Sequence, residues 1–312
     1  MLKKIKDFLA DMIYSMSGTA TLSLLIMVLL AIFNFVNTGL LFSNNAWIIP
    51  MLAISFLAPF FLFRATRGGK KYIPSTHLEL PKKYHIPTII FSTLLLILGS
   101  TLLKLAFVGG KYTELPLYNA FFAHRNGKIF TDLYLVLAFC IVPPVLEGLI
   151  FRGAIIREHD KQGRMTATLF SSLMFALIGF SFELFIPQLF VGILLCIVLY
   201  ATNSIAISVA IHIVYNFFAV FIEPTFISIK SVSSNFELFA FLVAILALVV
   251  AFFLFSHLSR LYRKYSHDKF GENMTRSTPR ERTFWNLASL MLSIPAIACY
   301  VVFIIVALIT RS

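Results

Sequence analysis

The chain has 312 residues, 59% of them hydrophobic and only 13% charged, and its mean hydropathy is +0.88. That balance excludes a soluble globule and points to a polytopic membrane protein, so the two soluble domains that length alone suggests do not apply. The net charge of +12 would suggest nucleic acid in a soluble protein. Here the basic residues fall in short loops between apolar runs and no aromatic-basic module accompanies them. The charge is therefore read as positive-inside loops touching anionic lipid, with no nucleic-acid partner.

Residues 1–17 set Leu2, Ile5, Leu9, Met12, Ile13 and Met16 on one helical face, away from Lys3, Lys4, Asp7 and Asp11. The pattern predicts an amphipathic helix on the inner membrane surface. Asp7 and Asp11, and the length of the apolar run after Thr19, argue against a cleaved signal peptide. N-terminal transmembrane helices follow within 18–128. The first is expected over about Thr19–Phe42, and the second over about Ala46–Phe63 with Pro50 and Pro59 as kink points. The loop after it carries Arg64, Arg67, Lys70, Lys71, Lys82 and Lys83 and is expected inside. The third span covers about Pro87–Val108, with Lys104 near its outer end and able to snorkel outward.

A core region, 129–222, is expected to hold four spans, about Ile129–Phe151, Thr166–Phe182, Ile186–Ala201 and Ile205–Ile222. Arg157, Lys161 and Arg164 mark an inner loop, the turn Thr202-Asn203-Ser204 joins the last two spans, and Glu223-Pro224 closes the last. The C-terminal part, 223–312, adds spans at about Phe236–Phe255 and Phe284–Ile309 around a basic inner loop, 257–283. The fold class expected is an all-α polytopic bundle of eight or nine spans, N-terminus inside, in a plasma membrane, with bacterial loop character. Cys140, Cys196 and Cys299 lie in apolar runs without ligand or disulfide spacing and read as small buried hydrophobes.

Polar residues inside three of these spans are costly in lipid and so mark candidate chemistry. Glu147 and Arg152 lie in the stretch from Pro143 to Gly153, and His212 and Asn216 share one helical face at i and i+4. From a rise of about 1.5 Å per residue, Glu147 lies roughly 7 Å and His212 roughly 10 Å from the inner surface, so the two could face each other. A carboxylate in a semi-dry pocket can activate water, and His and Asn can donate to an oxyanion. Polar locks between helices use the same residue types, and both readings stay open. Two ligands, Glu147 and His212, do not make a zinc site, so neither metal nor another cofactor is expected. A transporter is a remote alternative without an inverted repeat behind it.

The order of these residues resembles the CPBP family of CAAX-protease and bacteriocin-processing membrane proteins, also called the Abi or type II CAAX protease family. The family's first motif, Glu-Glu-x-x-x-Arg, corresponds to Glu147-Gly148-Leu149-Ile150-Phe151-Arg152. Its second, Phe-x-x-x-His, corresponds to Phe175 through Gly179, and its third, His-x-x-x-Asn, to His212 through Asn216. Phe190 and Gly192 are similar to the start of the family's linker helix. The resemblance implies an intramembrane protease core in which Glu147 activates water and His212 and Asn216 form the oxyanion site. It implies peptide substrates such as prenylated-protein tails or bacteriocin-type leaders.

Two departures weigh against activity: Gly148 replaces the second Glu and Gly179 replaces the second-motif His. A Glu at 148 could pair with Arg152 along a helix, so here Arg152 must find lipid, water or another helix. Gly179 supplies no proton route and is expected to let helices approach closely, and Glu183 is its one nearby substitute. The expected function is therefore a catalytically weak or inactive family member that binds or regulates a membrane or envelope protein. The alternative is an active endopeptidase or a bacteriocin-immunity protein.

Overall fold

A backbone in lipid has no water to satisfy its N–H and C=O groups, and long continuous apolar runs such as these close their hydrogen bonds locally, as helices. The computed structural model describes residues 18–39, 45–66, 82–108, 116–225, 236–267 and 280–310, and among them there are helices and no strands. The expected surface helix at 1–17 and residues 268–279 of the expected basic loop 257–283 lie outside the described residues, while 257–267 continue a helix and are not loop.

We number the helices α1 (Gly18–Gly39), α2 (Ile48–Thr66), α3 (Ile86–Val108), α4 (Pro116–Ala123), α5 (Ile129–His159), α6 (Arg164–Leu177), α7 (Phe182–Thr202), α8 (Ile205–Phe221), α9 (Phe236–His267), α10 (Arg280–Met291) and α11 (Ile294–Ile309). Six of the described helices are long and apolar enough to cross a membrane, and the pair α10 and α11, bent by 59°, makes a seventh if counted as one span. The remaining two expected spans are the shorter apolar helices α6 and α8. At 14 residues, α6 is only about 21 Å long, short of a ~30 Å hydrocarbon core.

The chain forms two compact units that interleave along the sequence. The first contains Leu146–Phe185 and the C-terminal helices together with α1 and α2, and the second contains His77–Val145 and Ile186–Arg276. In the first unit α1 packs on α2, α6 and α11. Thr19 of α1 lies 2.7 Å from Nε2 of the buried His159, and Cys299 Sγ of α11 reaches the Ala20 carbonyl at 3.7 Å. Phe303 takes the rings of Phe182 and Phe185 at the start of α7.

In the second unit α3 lies along α9, with Phe91 and Phe253 stacked at 5.8 Å, and Phe190 of α7 sits where a Cβ on Gly99 would stand, 2.6 Å away. Asn203, at φ 51°, turns the chain between α7 and α8, and Ser204 accepts from the Ile207 amide at 3.4 Å as the α8 cap. All three cysteines are buried thiols.

Lys104 departs from expectation. Instead of snorkelling outward it is buried, with Nζ 2.6 and 2.8 Å from the two carboxylate oxygens of Glu223, just past α8. It also lies over the Tyr215 ring at 5.6 Å. A carboxylate placed 119 residues away offers a charge-assisted partner that competes with the interface, and spacing along the chain cannot reveal it.

Candidate functional site

Charge at Arg152 suggests that a span should end there, yet α5 runs on to His159. The helix continues because the charge is taken up inside the protein: Arg152 is 3% exposed, and its guanidinium lies 4.5 Å from the centroid of the Phe175 ring. Glu147 is accordingly twelve residues, or about 18 Å, from the end of α5, not the roughly 7 Å that an end at Phe151 implies.

The geometry around Glu147 is set by a change of helical register. Gly148–Ile155 forms a π-helical segment, closed by the Ile156 amide on the Phe151 carbonyl. In a π turn the backbone hydrogen bond runs from residue i to i+5, so one turn takes more than the roughly 3.6 residues of an α-helix. Arg152 therefore lies about one turn beyond both Glu147 and Gly148. Ser171 Oγ of α6 donates to the same Phe151 carbonyl at 2.7 Å, bracing the π segment from outside. Phe151 and Phe175 meet edge to face at 5.7 Å. Residues of the first and second motifs thus pack directly on one another in the first unit, and Glu147 is half-buried.

The second motif ends differently from the pattern read in the sequence. α6 stops at Leu177, so Gly179 stands in the turn beyond it and not on a span reaching Phe182. Gly179 is exposed and so does not mediate a close helix approach. The turn closes with Phe180 at φ 47°, a conformation rare for a bulky residue. Glu183, the possible substitute, is occupied at the start of α7: its carboxylate accepts from Ser181 Oγ at 3.3 Å, and Ser181 in turn accepts from the Leu184 amide at 3.3 Å. That arrangement satisfies a helix N-terminus, where negative charge is favoured.

The third motif lies on α8 in the second unit. His212 and Asn216 are both buried, and the His212 ring centroid is 6.3 Å from that of Tyr215. Asn216 Nδ2 donates to the Phe139 carbonyl of α5 at 3.2 Å. Sequence reasoning missed the contributions of Ser171, Lys104 and Glu223. A buried charge of each sign was visible for the last two, whereas nothing marked Ser171.

Residues 129–218 match the family model described as type II CAAX prenyl endopeptidase Rce1-like. This stretch is a CAAX-protease-like core. It takes in α5 to α8 up to Phe218, with all three motifs, and covers less than a third of the chain. No curated protein and no solved structure gave a match. With its apolar helices, the CAAX-protease-like core belongs to a multi-pass, all-helical membrane protein.

Proposed function

We propose that this CAAX-protease-like membrane protein is a catalytically weak or inactive member that binds or regulates a membrane or envelope protein. The observation that carries the reading is at position 179, where the family motif has a histidine. Gly179 has no side chain, and its backbone stands in an exposed turn past the end of α6. A water at Glu147 would gain neither an orienting hydrogen bond nor a proton partner from it. Loss of one member of a catalytic unit lowers rates by orders of magnitude. Glu183 is held at the start of α7.

An active endopeptidase acting through Glu147 is the second reading. It is favoured by the family model's own description and by the presence of Glu147 itself, the residue to which the family resemblance gives the water-activating role. The two separate in an assay of purified protein against membrane peptides carrying a prenylated tail or a leader sequence, run beside Glu147→Ala. The inactive reading expects no cleavage that depends on Glu147. If only the two side chains are missing, turnover rises when Gly148→Glu and Gly179→His are introduced together. Cleavage by the natural chain that Glu147→Ala abolishes would overturn it and establish the endopeptidase.

We assign the protein to a plasma membrane with its N-terminus inside. The support is the set of basic loops at Arg64–Lys83, Arg157–Arg164 and 257–282, which the positive-inside rule places together on the cytoplasmic side and against anionic lipid.

A further inference from the structure

Pro143 and Pro144 stand side by side within α5, and each lacks the N–H that a helix uses to close its ladder. The carbonyl they leave bare can be identified. In α register the Phe139 carbonyl pairs with the amide of residue 143, and in π register with that of residue 144. Both are prolines. The next amide back, that of Val142, is spent on the Leu137 carbonyl, which closes the π segment Leu137–Ile141. No helix amide in either register can therefore satisfy Phe139. The site is partly buried, and a carbonyl left there without a partner costs up to about 1–3 kcal/mol, the more so the less water reaches it.

Asn216 supplies that partner. Its Nδ2 lies 3.2 Å from the Phe139 oxygen, and the residue is 7% exposed. A carbonyl can only accept, so the amide nitrogen and not the amide oxygen must face it. His212 lies one turn earlier on the same face of α8 and is oriented with it.

We propose that Asn216 is a positioning residue, a side-chain replacement for the two N–H groups that Pro143 and Pro144 remove from α5. It holds α8 in register against the proline break. The family resemblance gives this residue an oxyanion role instead. The presence of Asn216 in a chain that lacks the second-motif His then follows from the needs of the α5 backbone. The inference goes beyond the proposed function and does not depend on whether any peptide is cut, because its test reads folding alone.

The test is a rescue experiment on the full chain. Asn216→Leu keeps the branched side-chain skeleton and removes the donor. Pro143→Ala and Pro144→Ala each return an N–H within reach of Phe139, at i+4 and i+5. Thermal unfolding in detergent is measured for Asn216→Leu in three backgrounds: natural, Pro143→Ala and Pro144→Ala. Ser208→Ala serves as control, since its hydroxyl bonds the Leu195 carbonyl of α7 at 3.2 Å.

The expected result is a drop in melting temperature of about 3–6 °C for Asn216→Leu in the natural background. The drop should shrink by at least half in one proline-replaced background, while the Ser208→Ala cost stays the same in all three. Folding only in a proline-replaced background also supports the proposal. A drop under about 1 °C, a drop that shrinks by less than half in both backgrounds, equal rescue of Ser208→Ala, or failure to fold in all three overturns it.

Discussion

Arg152 brings a full charge into a site that leaves 3% of it exposed, and the face of Phe175 meets it at 4.5 Å. A guanidinium suits that position because it is planar and weakly hydrated, and so can lie flat on a ring, whereas an ammonium is a compact, strongly hydrated point charge. Arg152→Lys is therefore expected to lower unfolding stability by about 1–2 kcal/mol despite keeping the charge. Phe175→Leu should cost about 2 kcal/mol through loss of the ring face and of packing against Phe151. Both changes remove the same contact, so the double variant should cost less than their sum, and thermal unfolding of the four proteins checks this. Glu147, Arg152 and Phe175 were all legible as motif residues. Their packing was not, because the Arg152–Phe175 contact joins two helices and depends on how α5 and α6 meet, which spacing along the chain does not carry.

At the scale of elements, polar side chains fasten the helices. In the second unit α8 is held to α5 by Asn216, to α7 by Ser208 and, just beyond its end, to α3 by Lys104 and Glu223. The last is a buried ion pair, and its loss is asymmetric. Removing one partner strands the other charge away from water, while removing both leaves apolar surfaces to pack. Lys104→Met and Glu223→Leu are each expected to cost about 3–5 kcal/mol, whereas the double variant should recover most of that loss. A thermal-unfolding cycle of the two singles and the double measures the coupling. A double variant as unstable as the worse single would show that the pair does more than cancel charge.

The helices themselves were well marked by hydropathy, with differences at their ends. α5 extends to His159 because Arg152 is covered from the side by Phe175, and α6 ends at Leu177 because the chain turns through Gly179 and Phe180. Neither cause is local to the apolar pattern that set the expected limits.

For the whole molecule, the orientation assigned from the basic loops is tested by reporter fusions. Insertion after Arg64 or at Gln162 should report the cytoplasm, and insertion at Asn126, in the loop between α4 and α5, should report the opposite side. A reversed pattern at all three would invert the orientation, and a mixed pattern would change the number of crossings. Nine segments were expected to be apolar helices. Each is helical, six long enough to cross individually, one bent by 59° between α10 and α11, and two shorter, α6 and α8.

The sequence by itself determined the all-helical, multi-pass class, since its long continuous apolar runs, unlike the alternating pattern of a barrel strand, satisfy their backbone in lipid as helices. It also determined the order of the CAAX-protease-like motifs, because motif residues are read by type and spacing alone. Tertiary structure decided the partners: Phe175 for Arg152, Glu223 for Lys104, and Asn216 for the Phe139 carbonyl, the last 77 residues away. The physical reason is that a buried polar group must be satisfied by whatever donor or acceptor folding brings beside it. Pro143 and Pro144 announce in the sequence that a carbonyl will be left bare, but only the packed helices show that Asn216 covers it.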